Sequence, residues 1–495
     1  MTKVDDAQSW PAALVVPVLL AIALLIVAAV SPNSTHLLSL VRDAIESTFG
    51  WIYLGGATVF LVVTLLLAFS SFGKRKLGPT DATPKHSRFT WFAMLLSAGT
   101  GVQFVYASVS EPLLQVAAPP FGREGPGDAF LNAMNLSLFH WGLHPWAVFA
   151  LVAVSLGTFA HRRSLPLKLS SAFYPVLGER IHGPWGHVID ACALLATILV
   201  GISGLVVAAG SLEVGMYRLW QVPTGLLIKL LCVLGMASAA ILSVALGLQS
   251  GIRPFSQLTL IAAGTMLLFV LTLGQATLVS SFFDDIWVYI SYLPANSKEL
   301  GIDANRTELR WLQTWTIPYW AWTIACAPSV GLFIAKISYG RTIREVVIAV
   351  VICPTILSSL WITAFANSAF YEQRIGKGML EFAASRDICA AVFELMGTFP
   401  WPAVGVFLSV LCMVLFAITS VSSASFTLVN LSVKEAGARQ RAAAVAALGF
   451  GAAFTLVIGG AAILSNAALV MALPICILLL VMCVSLVLEL RTTKQ

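Results

Sequence analysis

Charge is scarce in these 495 residues: Asp, Glu, Lys and Arg make up 11%, hydrophobic residues 58%, and the mean hydropathy is +0.89. Soluble domains use about 25% charged residues, so a water-soluble fold could not cover this much apolar surface. Signatures of metal and acid–base chemistry are missing as well. The eight cysteines (Cys192, Cys232, Cys326, Cys353, Cys389, Cys412, Cys476 and Cys483) are scattered, with no CxxC pair or Cys/His cluster. They read as small buried hydrophobes, with no structural disulfide or zinc site expected. There is no HExxH, no pair of intramembrane carboxylates and no His cluster at ligand spacing. An integral membrane enzyme, the alternative from another functional class, therefore lacks a constellation to act through. Low-complexity tracts and direct repeats are absent. The formal net charge of +6 reads as membrane topology and not as nucleic-acid binding.

What the chain has is long apolar runs. A helix needs about 20 apolar residues to cross a bilayer. On that ruler about twelve spans fall near residues 11–31, 50–72, 90–113, 133–160, 184–212, 225–249, 255–282, 314–335, 345–367, 399–431, 442–464 and 466–490. The start, MTKVDDAQSWP, lacks the pattern of a cleaved signal peptide, so the first run is expected to stay as a helix. Counting Lys and Arg in alternate connections places about 19 on the side of both termini and about 10 on the other, which puts both ends in the cytoplasm. Two outer connections, 283–313 and 368–398, are polar enough to be interfacial helices. The short tails, about ten residues before the first span and Arg491–Gln495 after the last, give the expectation that no cytosolic domain exists.

Carriers bind their solute near the bilayer midplane, where helices are interrupted at equivalent places in two inverted repeats. The third span carries Gly99 and Gly101 in Leu96-Ser-Ala-Gly-Thr-Gly-Val-Gln-Phe104, and the eighth carries Pro328 and Gly331 in Ile324-Ala-Cys-Ala-Pro-Ser-Val-Gly331. Both are expected to break, five spans apart, as two five-helix repeats (spans 3–7 and 8–12) after two N-terminal helices would require. Taken singly, each glycine is as well explained by close helix packing. The tenth span holds a hydroxyl cluster, Phe416-Ala-Ile-Thr-Ser-Val-Ser-Ser-Ala-Ser425. Such hydroxyls can bond back to the preceding turn, or form an oxygen-only site for a monovalent cation. Trp141, Trp146, Trp315, Tyr319, Trp320 and Trp322 are either interfacial anchors or walls of a cage for an ammonium group. His140, His144, Glu111, Asp190 and Lys336 read as helix-end residues.

At this point the chain resembles a known family. Residues 314–345, from Thr-Trp-Thr-Ile-Pro-Tyr-Trp-Ala-Trp to Gly-Arg-Thr-Ile-Arg-Glu345, look like the signature of the betaine/carnitine/choline transporters. Phe139-His-Trp-Gly-Leu-His-Pro-Trp-Ala147 is similar to that family's fourth span, and Ser110-Glu-Pro112 to its acidic-proline pair. The resemblance covers essentially the whole chain. It implies an all-α integral membrane protein of about 12 transmembrane helices with a leucine-transporter-like fold. Its parts would be residues 1–89 (tail and spans 1–2), 90–282 (first repeat), 283–313 (connecting helix) and 314–495 (second repeat). It implies a homotrimer in the bacterial inner membrane, in contact with lipid, whose partner is a small-molecule solute. Trp141, Trp146, Phe149, Gln103, Trp322 and Thr323 would line the substrate site, and Phe333 would be an inner gate. Ser97, Thr100, Phe416, Thr419 and Ser420 would bind the coupling ion, sodium; no other cofactor is implied.

The departures from the family pattern carry information too. Gln103 stands where the family has a third glycine, Thr323 where it has a second tryptophan and Phe149 where a tyrosine is usual; Cys326 and Ser329 replace residues that are commonly aromatic. A cage short of one wall loses about 0.5–2 kcal/mol of cation–π attraction, while Gln103 and Thr323 would add hydrogen bonds. The expected cargo is accordingly a small zwitterionic or cationic ammonium, sulfonium or amino-sulfonate compound, less methylated than a standard trimethylammonium. Spans 5 and 10 contain no Arg or Lys to replace an ion, which favours symport over ion-independent exchange. Thr197 matches one hydroxyl of the family's second sodium site, but Gly201 stands at the other, leaving one sodium, or a proton, per cycle. Exchange and proton coupling are the alternatives within the family. The short C-terminal tail gives the expectation of uptake without osmotic activation.

Overall fold

The computed structural model describes residues 10–31, 33–120, 125–274, 278–376, 378–432 and 437–492. Among them the regular structure is helical, apart from one isolated antiparallel bridge between Lys76 and Thr342. The chain runs through α1 (Trp10–Val30), α2 (Ser34–Phe69), α3 (Arg88–Gly99), α4 (Val102–Ala117), α5 (Ala129–Trp141) and α6 (Leu143–Gly157). It continues through α7 (Pro184–Trp220), α8 (Leu226–Ala245), α9 (Arg253–Leu273), α10 (Leu278–Lys298), α11 (Arg306–Thr314) and α12 (Thr316–Ile337). It ends with α13 (Ile343–Val347), α14 (Cys353–Ile375), α15 (Met379–Arg386), α16 (Ala390–Thr398), α17 (Pro402–Ser432), α18 (Ala438–Val457) and α19 (Ala461–Thr492). Among the described residues ten helical stretches are long and apolar enough to cross a membrane, eleven when the bent pair α3 and α4 is taken as one; α1 is a further 21-residue apolar helix. The protein is an all-α, multi-pass membrane protein.

Several boundaries differ from expectation. α2 begins at Ser34 instead of 50 and has 36 residues, about 54 Å at 1.5 Å per residue, well beyond a hydrocarbon core of about 30 Å. The seventh span stops at Leu273, where Gly274 leaves the helix with its N–H on the Val270 carbonyl, so α10 includes the stretch assigned to that span's end. The ninth span continues to Ile375, and only the remainder of 368–398 forms the short helices α15 and α16.

The expected break at Pro328 is also corrected, because α12 is helical through it. A proline removes one donor, which a helix packed inside a membrane protein tolerates. Gly331 serves contact, not flexibility: a Cβ there would lie 2.4 Å from Val152 on α6. The interruption lies instead at Trp315 (φ −116°, ψ −81°), between α11 and α12, and the fourth span is interrupted at Gly142 (φ −91°, ψ −133°).

The Gly-Arg-Thr-Ile-Arg-Glu segment forms a clasp at one end of the bundle. The Leu77 N–H donates to the Arg341 carbonyl at 2.7 Å, the Gly340 N–H to Leu77 at 2.8 Å, and the Ile343 N–H to Arg75 at 2.9 Å. Arg344 Nε donates to the Ala68 carbonyl at 2.8 Å, capping α2, and Thr342 with Glu345 forms a capping box on α13. Gly340 has φ +79°, and a Cβ there would lie 2.6 Å from the Thr83 carbonyl carbon. Gly340→Val is therefore expected to destabilise the protein by at least about 2 kcal/mol, read as a fall in the melting temperature of the purified protein.

Candidate functional site

The site is built around the break in the third span. α3 ends at Gly99, Thr100 (φ −98°, ψ 130°) and Gly101 (φ −107°, ψ 173°) are extended, and α4 leaves at 63° to α3. Extended backbone withdraws the N–H groups that the last carbonyls of α3 would otherwise accept from. α17 passes alongside and supplies hydroxyls in their place. Thr419 Oγ1 lies 3.1 Å from the Ser97 carbonyl oxygen, 3.1 Å from that of Phe416 and 2.9 Å from that of Leu415. Ser420 Oγ lies 3.4 Å from the Thr100 carbonyl oxygen. Ser97, Thr100, Phe416, Thr419 and Ser420 are thus brought together although they come from two helices more than 300 residues apart. The Thr419 hydroxyl has a single proton and cannot satisfy three carbonyls at once, whereas a small cation would be attracted by all of these oxygens. Among the described residues no group of three or more His, Cys, Asp or Glu could hold a metal ion, and this neutral oxygen set suits a singly charged cation.

The aromatic residues divide into two groups. Trp146 on α6 is 6% exposed and lies against the break: a Cβ on Gly99 would be 2.5 Å from its ring. Phe149, one turn on, packs edge-on to Trp146 with centroids 5.9 Å apart. Trp141, last in α5, packs instead against Phe104 (5.3 Å) and Tyr319 (5.4 Å), both edge-on. No ring contact joins Trp141 to Trp146 or Trp322 among the described residues. Trp322 and Thr323 share one half-buried face of α12 with Tyr319 and Cys326, while Trp320, Ala321, Ile324 and Ala325 between them are buried. Gln103 and Gly101 are half-buried at the start of α4, and a Cβ on Gly101 would meet nothing within 4 Å. Half-buried positions thus lie at the start of α4 (Gly101 and Gln103), at the end of α5 (Trp141), on one face of α12 and on α17 (at Ser420), with buried residues between them. The face of α12 has the i, i+3, i+4, i+7 spacing of 319, 322, 323 and 326, the signal that would have added Tyr319 and Cys326 to the expected residues.

Phe333 sits further along α12 and is 1% exposed, packed edge-on to Phe426 of α17 at 5.9 Å, with Lys336 Nζ 5.0 Å from the Phe426 ring centre. Two residues read as helix-end anchors, Glu111 and Asp190, are buried in the protein. Glu111 is 0% exposed within α4, and His140 and Trp141 both bond to it. Asp190 is buried, taking the Ser170 N–H and hydroxyl, both at 2.9 Å. Trp315, weighed as an interfacial anchor, is 9% exposed at the interruption before α12.

Membrane-length helices around a bent span, with neutral oxygens at the bend and a half-buried aromatic face on α12, are the layout of a membrane transporter. Comparison with known proteins gives the family. Residues 12–495 match the profile described as BCCT, betaine/carnitine/choline family transporter. The chain is 35% identical to the glycine betaine transporter OpuD of Bacillus subtilis over 92% of its own length and 90% of that protein's. It is 33% identical to a glycine betaine transporter of Acinetobacter baylyi over 97% of its length and 72% of that protein's. With the osmo-independent choline transporter BetT1 of the same organism it shares 37% identity over 81% of its length and 76% of that protein's. The chain belongs to the BCCT family of secondary transporters and is not an enzyme.

Proposed function

We propose that this protein is a sodium-coupled symporter that imports a small zwitterionic or cationic ammonium compound by alternating access, with both termini on the cytoplasmic side of the bacterial inner membrane. The observation that carries the coupling is the nest of carbonyls around Thr419 Oγ1 at the break of the third span. Sodium, written as co-substrate, would be held by the carbonyl oxygens of Ser97, Thr100 and Phe416 and the hydroxyls of Thr419 and Ser420. The substrate's ammonium head would lie among Trp141, Trp146, Phe149 and Trp322, with Gln103 and Thr323 as hydrogen-bond partners. The printed names of the relatives, glycine betaine and choline transporters, support an ammonium head group. Two five-helix units, 90–282 and 314–495, would move against each other, with Phe333 closing the inner side, and three copies would assemble in the membrane.

Gln103 and Thr323 set the preference within this class. A fully methylated nitrogen has no N–H to offer Gln103 Oε1, whereas a partly methylated one has. Replacing the pair by the family's residues, Gln103→Gly with Thr323→Trp, is expected to shift the ratio of uptake efficiencies toward glycine betaine over N-methylglycine by about tenfold, equivalent to about 1.4 kcal/mol. Competition between the two compounds in proteoliposomes reads this directly; an unchanged ratio would remove both residues from the specificity site.

A further inference from the structure

The polar cluster behind Trp141 is not used by the proposal above. Glu111 and His140 are 0% exposed at the side chain, and His140 Nδ1 lies 2.5 Å from Glu111 Oε1. Trp141 Nε1 donates to Glu111 Oε2 at 2.8 Å, Gln115 Nε2 donates to Oε1 at 2.9 Å, and His140 Nε2 lies 3.0 Å from Thr316 Oγ1. Three helices meet here: α4 at Glu111, ten residues past Gly101, α5 in its last turn, and the first residue of α12. Tyr319 stacks on His140 at 5.0 Å and meets Trp141 edge-on, so the pair lies directly behind the half-buried aromatic face.

We propose that Glu111 and His140 form a proton-binding site that competes with the substrate's ammonium head through Trp141. The competition through Trp141 rests on the substrate site proposed above; the proton site itself does not. With one proton between them the pair holds a net charge of −1: Nδ1–H donates to Glu111 and Nε2 accepts from the Thr316 hydroxyl. A second proton, taken from water, makes the pair neutral, leaves Nε2–H as a donor, and turns the Thr316 hydroxyl round. The negative form attracts an ammonium group on the far side of Trp141, and the neutral form does not, because an unscreened charge in a low-dielectric interior acts across one side chain. Binding of the ammonium head therefore releases a proton.

Few other groups compete for this role. Facing the pair is Tyr319 from α12, whose hydroxyl donates to Glu111, with Tyr106 of α4 near Tyr319. The elements packed around α4 and α5 present Trp361 and Ser108, Trp311, and the Tyr289 hydroxyl bound to the Leu143 N–H. His144, on α6, is taken by Ser297 and Thr58 at 3.2 and 3.4 Å, and Asp285 of α10 by Thr363 and Asn367 of α14. Among the described residues no Lys or Arg stands within ion-pair distance of Glu111.

The test uses the full chain in lipid nanodiscs, with glycine betaine as the probe. The dissociation constant measured calorimetrically is expected to fall more than twofold between pH 5.5 and 8.5, with proton release detected as a buffer-dependent heat. Glu111→Gln and His140→Gln are each expected to abolish the pH dependence. A wild-type constant that varies less than twofold, or one whose variation survives in both variants, overturns the proposal. If glycine betaine does not bind wild-type protein, the substrate reading fails, and the ligand-free arm decides the proton site. There, the infrared difference spectrum between pH 5.5 and 8.5 is expected to contain carboxyl and imidazole bands that vanish in Glu111→Gln and His140→Gln respectively. Identical spectra for wild type and both variants overturn it independently of any substrate.

Discussion

Thr419→Ala is expected to raise the sodium concentration for half-maximal uptake by about 10–100-fold while leaving the amount of folded protein in the membrane unchanged. Thr419 Oγ1 is the oxygen closest to the others of the cluster, within 3.1 Å of the carbonyls of Ser97 and Phe416 and 2.9 Å from that of Leu415. Losing one oxygen from a charged partner costs about 1.5–3 kcal/mol, which sets the range. Folding is largely spared because the alanine side chain still fits beside α3 and the helix keeps its backbone bonds. Ser420→Ala should have the same sign and a smaller size, since its hydroxyl stands 3.4 Å from the Thr100 carbonyl. Both are read from initial uptake rates in proteoliposomes as external sodium is varied. A Thr419→Ala protein with the wild-type sodium curve would mean that the hydroxyls only serve the helix.

Gly99→Val is expected to abolish uptake, and Gly101→Ala, two residues on, to leave stability near wild type. At Gly99 the added carbon would lie 2.5 and 3.0 Å from two atoms of the Trp146 ring and 3.6 Å from Phe149, so the indole must leave its place against the break. Overpacking of this kind costs about 1–3 kcal/mol even where the surroundings yield, and here it displaces a residue of the proposed substrate site. At Gly101 the backbone has an ordinary φ of −107° and the added methyl meets no atom within 4 Å. Its methyl would enter the open space at the bend, so the expected effect is on apparent substrate affinity alone. Transport assays with thermal melting curves of the two proteins separate these outcomes. Equal effects at the two glycines would contradict the packing assigned to Trp146.

The break in the third span was legible because it rests on local chemistry. Two glycines flanking a threonine in an apolar run lower the cost of leaving the helix on both sides. Pro328 misled for a related reason. Its ring removes one hydrogen bond, but α6 packs tightly enough against Gly331 to hold α12 in one piece, and nothing near 328 in sequence reports that contact. Glu111 and His140 are 29 residues apart, and Thr316 another 176 on, so their meeting could not be inferred from spacing along any one helix. The hydroxyls of α17 stood out in the sequence because an apolar helix rarely carries so many. Their partners Ser97 and Thr100 came from the family resemblance, since both offer backbone oxygens that every residue possesses.

On the function proposed above, sodium drives this carrier through the cluster at the bend. The direct test is uptake of labelled glycine betaine, choline, N-methylglycine, an amino-sulfonate and a sulfonium zwitterion into proteoliposomes, with an inward sodium gradient imposed or abolished at constant membrane potential. Saturable accumulation of at least one compound, collapsing when the gradient is removed, is the expected result. Accumulation indifferent to sodium but dependent on substrate inside the vesicles would contradict it and make the protein an exchanger.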